Sequence, residues 1–192
     1  VCDNLGYGDT EPFGSTVNRT PNLNRMAREG RRFTHFYASA GVCTPSRASL
    51  LTGCYSQRVG MHTNPRDGQV LRPVSPYGLN PKEVTVAEVL QQAGYATTII
   101  GKWHLKVEPN FDYYKVLPGQ GSYFNTEFRI QGDKSWPNNV VKYPGSHSSD
   151  VITDATLDWF KNRRDPEKPF FVCHQYKAPH DYFESHPRYD SY

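Results

Sequence analysis

Apolar positions along this chain fall into alternating blocks of helical and strand-like spacing. Residues 22–29 read as a helix, with Thr20 as N-cap, Pro21 in the first turn and Gly30 as the stop. Residues 32–38, Arg-Phe-Thr-His-Phe-Tyr-Ala, are rich in strand formers and predict a β-segment. A short helix is expected over 46–52, stopped by Gly53. Over 84–93 apolar residues at 86, 87, 89, 90 and 93 predict a helix that Gly94 ends. Residues 95–100 then read as a buried strand closed by Gly101. An amphipathic helix is predicted over 150–162, through Val151, Ile152, Ala155, Leu157, Trp159 and Phe160. A second buried strand is expected over 169–173.

Helix followed by apolar strand, repeated, predicts an α/β fold with a mostly parallel sheet flanked by helices. In such sheets ligands bind beyond the carboxyl ends of the strands. The positions of interest are therefore Asp3-Asn4, the segment around Cys43, Lys102-Trp103-His104, and Lys177-Ala178-Pro179-His180. Residues 106–149 show no clear periodicity and many Gly, Pro, Tyr and Asn, and read as an insertion that shapes a substrate pocket.

Composition narrows the function. The 22 basic and 19 acidic side chains leave a net charge of +3, which excludes an acidic tail or a polybasic nucleic-acid arm. No apolar run approaches the ~20 residues of a membrane helix, so no membrane span is expected. Cys2, Cys43, Cys54 and Cys173 are scattered without a C-x-x-C pair, which argues against structural zinc and against a disulfide framework.

Cys43-Thr44-Pro45-Ser46-Arg47-Ala48-Ser49-Leu50-Leu51-Thr52-Gly53 carries the clearest chemistry. It places a polar nucleophile just before a short helix, whose N-terminus favours an anion, and Arg47 adds a multi-donor cation suited to a tetrahedral oxyanion. On the residues alone a buried structural cysteine before a Pro-initiated helix is the plainer reading. Asp3-Asn4-Leu5-Gly6-Tyr7-Gly8-Asp9 offers hard oxygen ligands, though on the residues alone a turn is the plainer reading.

The Cys43 segment resembles the modification motif of type I sulfatases, C-x-P-S-R followed by L-x-T-G. The stretch from Asp3 to Asp9 is similar to that family's metal motif, with Asn4 in place of the usual second Asp. Gly101-Lys102-Trp103-His104-Leu105 and the stretch from Lys168 to His180 resemble two further family motifs, and the four occur in the family's order. The resemblance implies an alkaline-phosphatase-like sulfatase core. It implies that a formylglycine-generating enzyme converts Cys43 to formylglycine. Its gem-diol would attack sulfur to form a covalent sulfate ester, then expel sulfate through the second hydroxyl. Lys102 would neutralise sulfate charge, and His104 would orient or deprotonate the gem-diol. His180 would hold the sulfate and help protonate the leaving alcohol, and Lys177 would touch the substrate. Asp3 and Asn4 would hold Ca²⁺, with Mg²⁺ as the alternative.

The family's second acidic metal pair and second sulfate-binding lysine are not found after His180. Residues 1–192 are therefore expected to be the N-terminal part of a longer catalytic domain that continues into a C-terminal subdomain. Alone they should bind calcium poorly and turn over slowly. By resemblance the substrate is a sulfated carbohydrate, since the aromatic and amide groups of residues 117–125 suit sugar rings. The protein would be exported to a periplasm, lysosome or the outside. A phosphate or phosphonate monoester hydrolase of the same superfamily and a catalytically inactive binder of sulfated glycans stay open as alternatives.

Overall fold

In the computed structural model, which describes residues 1–190, the apolar run after Gly94 becomes strand β1, Ala96–Lys102, buried from Thr97 onward. Burial on both faces is what a near-continuous apolar run produces at the centre of a parallel sheet. β2 (Tyr113–Leu117) and β5 (Phe170–Gln175) pair with β1 on either side, both parallel. β3 (Glu127–Ile130) and β4 (Val140–Lys142) continue antiparallel beyond β2, giving the order β4-β3-β2-β1-β5. The sheet is thus parallel at its centre and antiparallel along one edge.

Helices α1 (Pro21–Glu29), α2 (Cys43–Thr52), α3 (Val86–Gln92) and α4 (Ser148–Asp158) accompany the sheet, and a π-helical turn, Trp159–Arg163, follows α4. Successive strand residues point to opposite faces. Ile99 accordingly joins one core with Ala48, Leu51 and Ala87, from α2 and α3. Its neighbour Ile100 joins a second core with Val151, Ile152 and Trp159, from α4 and the turn after it. The larger aliphatic side chains among them, such as Leu51, Ile99 and Ile152, each contribute roughly 1.5–3 kcal/mol on burial.

Three expectations change. Residues 32–38 form no strand. They find no partner strand among the described residues, and Phe36 and Tyr37 remain exposed. Strand-forming side chains stabilise a sheet through cross-strand neighbours, and here there are none. Residues 106–149 carry β2, β3 and β4, whose three to five residues are too short to show a period. α2 begins at Cys43, three residues earlier than its apolar pattern indicates, so Cys43 is the first residue of the helix.

Two features at the strand ends position the site. Gly101 has φ 108, and a Cβ there would lie 1.8 Å from the Gln175 carbonyl oxygen. Only glycine lets β1 turn out of its pairing with β5 at this point. On the far side of β5, the Val1 amino group donates to the His174 carbonyl at 2.7 Å, and Tyr176 N–H donates back to the Val1 carbonyl at 2.9 Å. Residues 1–3 therefore run alongside the end of β5, and Asp3 N–H donates to the Ala178 carbonyl at 3.1 Å.

Candidate active site

Cys43 sits half-buried at the N-terminal end of α2, where the helix dipole favours negative charge. Its Sγ lies 3.2 Å from His104 Nδ1, and His104 Nε2 lies 2.8 Å from the Leu71 carbonyl. A carbonyl only accepts, so Nε2 carries the hydrogen and Nδ1 presents its lone pair to residue 43. The same Leu71 peptide receives support from α2, since Leu71 N–H donates to the buried Thr44 hydroxyl at 3.2 Å. His104 is 3% exposed. Burial, helped by the positive Lys102, holds its pKa down to about 4, so the ring is neutral at pH 7. It is also one of four non-glycine residues with positive φ (59) among the described residues, as is Asn4 (φ 65). Such strain persists only where the surroundings fix it, and is common at functional sites.

Behind the cysteine lies a buried charge cluster. Lys102, fully buried, donates from Nζ to Asp3 Oδ2 and to Gln120 Oε1. Arg47, also buried, donates from Nη1 to the Lys102 carbonyl at 2.5 Å and to Gln175 Oε1, with Nη2 3.5 Å from Asp3 Oδ1. Its Nε–H is buried with no hydrogen-bond partner among the described residues. Burial alone would raise the Asp3 carboxyl. The Lys102 hydrogen bond and charge, joined by Arg47 and His180, hold it below the ordinary range. Burial pulls the Lys102 ammonium down, and Asp3 pulls it back up. Two cations thus face one carboxylate, and an uncommitted N–H is left for an anion.

The turn after β5 brings the last two candidates. Lys177 is buried with Nζ 4.7 Å from the Tyr123 ring centroid. His180 Nδ1 lies 2.9 Å from Asp181 Oδ1 and also hydrogen-bonds the Asp181 carbonyl. The Tyr123 hydroxyl donates to the His180 carbonyl at 2.5 Å.

An open cleft of about 850 Å³ meets this cluster, with Asp3, Asn4, Cys43 and Arg47 in its wall beside Phe36 and Tyr37. Asn4 is exposed at its mouth. A hard divalent cation takes six or more oxygen ligands. Here both Asp3 oxygens face Lys102 or Arg47, which hold the place a cation would take. Among the described residues no three His, Cys, Asp or Glu side chains are arranged to hold a metal. Asp3 and Asn4 by themselves do not fit a calcium site.

The structure therefore draws Cys43, Arg47, Lys102, His104 and Asp3 into one connected group, and attaches Lys177 and His180 through Asp3 and Tyr123. Gln175 was not singled out by the sequence, and Gln120 and Tyr123 were read only as part of a sugar-facing stretch. Gln120 and Tyr123 supply an amide and an aromatic group of the stretch 117–125, while Gln175 lies at the carboxyl end of β5, where position was the one available signal.

A family model described as Sulfatase matches residues 1–192. The chain is 35% identical over 181 residues to an N-acetylglucosamine-6-O-sulfatase of Bacteroides thetaiotaomicron, covering 92% of this chain and 29% of that protein. It is 51% identical over 156 residues to Arylsulfatase A of Homo sapiens, covering 81% of this chain and 29% of that one. A solved protein in complex with its substrate D-glucosamine-2-N,6-O-disulfate superposes with a TM-score of 0.83 at 34% identity, covering 97% of this chain and 35% of that one. The chain thus spans about a third of the length of these relatives. Among the described residues no helix is long and apolar enough to cross a membrane.

Proposed function

Because the chain belongs to the sulfatase family, we propose that the protein is a sulfuric-ester hydrolase whose nucleophile is built on Cys43. The observation that carries this reading is the contact between Cys43 Sγ and the Nδ1 lone pair of a neutral His104, at 3.2 Å, at the head of α2. A side chain at 43 that meets a base on one side and an open cleft on the other fits a formylglycine. That group, made from Cys43 by a formylglycine-generating enzyme, supplies a geminal pair of hydroxyls, one to attack sulfur and one to release it.

The remaining work falls to this chain's own side chains. His104 Nδ1 accepts the proton from the oxygen on residue 43. Arg47 and Lys102 neutralise the non-bridging sulfate oxygens, aided by the positive end of α2. Both cations are already ordered and desolvated by Asp3, Gln120 and Gln175, so little reorganisation is needed on binding. His180 protonates the oxygen of the departing alcohol, and Lys177 adds a buried cation beside it.

For the substrate we propose a sulfated carbohydrate. Support comes from the relative named as an N-acetylglucosamine-6-O-sulfatase and from the neighbour solved with a disulfated glucosamine. The match to Arylsulfatase A favours an aryl sulfate as the second reading. Turnover of glucosamine 6-sulfate, 4-nitrophenyl sulfate and the matched phosphate esters by the full-length gene product separates these. Preference for the sugar sulfate is expected, while turnover confined to aryl sulfates or to phosphates overturns the assignment. Mass spectrometry of the peptide around residue 43 from the native host should find a mass about 18 units below that of cysteine, an SH₂ exchanged for O. An unmodified thiol would favour a glycan binder over an enzyme. Export of the full-length protein goes with this reading and is checked by cell fractionation.

A further inference from the structure

The loop that leaves β2 ties together the two halves of the site, and of its residues only Gln120 has a role above. Gly119 and Gly121 both have positive φ (57 and 68), and a Cβ on Gly121 would lie 2.9 Å from the Leu117 side chain. The turn between them is held tightly against the end of β2, and it presents Gln120 to the Lys102 ammonium. Three residues on from Gln120, Tyr123 is 3% exposed. Its ring stacks on His147, with centroids 5.6 Å apart and planes 28° apart, and its carbonyl accepts from Ser148 N–H at 2.7 Å. The residue is thereby fastened to the start of α4. From that fixed base its hydroxyl reaches the His180 carbonyl at 2.5 Å and its ring face meets the Lys177 ammonium. His180 N–H closes the turn onto the Lys177 carbonyl at 3.0 Å.

We propose that Tyr123 is a positioning residue for the proton donor: its phenol pins the His180 backbone and its ring seats Lys177, fixing where the leaving alcohol is protonated. The proposal rests on the sulfatase reading and on His180 as the acid within it. His180 Nδ1–H is committed to Asp181, so the proton that can be delivered is carried on Nε2. As the oxygen on residue 43 bonds to sulfur, the S–O bond to the alcohol breaks. The electron pair stays on the alcohol oxygen, and the Nε2 proton moves to it and leaves a neutral imidazole. Burial, with the Asp3 charge, pushes the Tyr123 phenol up to about 12, so its hydrogen remains available to the His180 carbonyl across the working pH range. A displaced acid costs rate only where the leaving group needs a proton. An alkoxide from a sugar needs one, and 4-nitrophenolate does not.

The test uses the full-length gene product with residue 43 matured. Tyr123→Phe keeps the ring, the His147 stack and the Lys177 contact, and removes one hydroxyl. It should lower kcat on glucosamine 6-sulfate about tenfold, while KM and turnover of 4-nitrophenyl sulfate stay within about twofold. In a His180→Ala background the same change should cost nothing further, because coupled residues are not additive. Equal loss on both esters, no loss on either, or a further loss in the His180→Ala background would overturn the proposal. A wild-type protein that cleaves neither ester removes the sulfatase reading itself, which separates that failure from failure of the role given to Tyr123.

Discussion

His104 combines a strained backbone, a buried ring and a hydrogen bond at each nitrogen. Each of these follows from its neighbours, yet none is written in the tripeptide Lys102-Trp103-His104. The sequence placed this histidine at the end of a strand, and the resemblance gave it a partner in Cys43. Its tautomer comes from the Leu71 carbonyl, 33 residues away in the chain, which no local pattern could have indicated. The ring also makes stability depend on pH. Unfolded, it takes up a proton near pH 6.5; folded, it does so only near about 4. The native state is therefore favoured above pH 6.5 and loses that margin as the pH falls from 6.5 toward 4. The margin at neutral pH is roughly 3 kcal/mol for a shift of this size. His104→Gln should flatten the fall of melting temperature between pH 6.5 and 4. An unchanged slope would mean that another group carries it.

The elements were the more legible part. α1, α3, α4, β1 and β5 lie within a few residues of where apolar spacing, caps and glycine stops put them. Thr85 with Glu88 forms a capping box at α3, its N–H donating to Glu88 Oε2 at 2.8 Å. The misreadings have physical causes. Residues 32–38 have strand chemistry but no neighbour to pair with among the described residues, while β2–β4 are strands by virtue of their neighbours and too short to announce themselves. α2 starts at Cys43 because helix starts are set by backbone geometry, here an extended Val42, and not by the apolar pattern that follows. Gly101 was read as a strand stop, and its larger role is the close approach to β5. Gly101→Ala would drive a methyl group into the Gln175 carbonyl at a φ that alanine avoids. A loss of roughly 3 kcal/mol is expected, seen as a large fall in melting temperature. A melting temperature within a degree or two of wild type would show that the β1–β5 crossing is looser than described.

The molecule as a whole is a sheet whose parallel centre gathers Cys43, His104 and several cations at its carboxyl-terminal edge. Spanning about a third of its relatives, it presents a site with more positive than negative groups and, among the described residues, no cluster of His, Cys, Asp or Glu arranged to hold a metal. Calcium titration of residues 1–192 by calorimetry should accordingly find only binding weaker than about 1 mM, since two oxygen donors with Lys102 already at the carboxylate make a poor site. Micromolar, saturable binding would contradict this and would require Lys102 to leave Asp3. The proposed contacts of Arg47 and Lys102 with sulfate do not depend on that outcome, because both side chains are in place without a bound cation. The central claim, that the cleft at Cys43 cleaves sulfate esters, is tested most directly by sulfate release from glucosamine 6-sulfate by the full-length gene product and its Cys43→Ala variant. The account predicts steady release by the first and loss of turnover in the second. Equal release by both would place the chemistry elsewhere and contradict it.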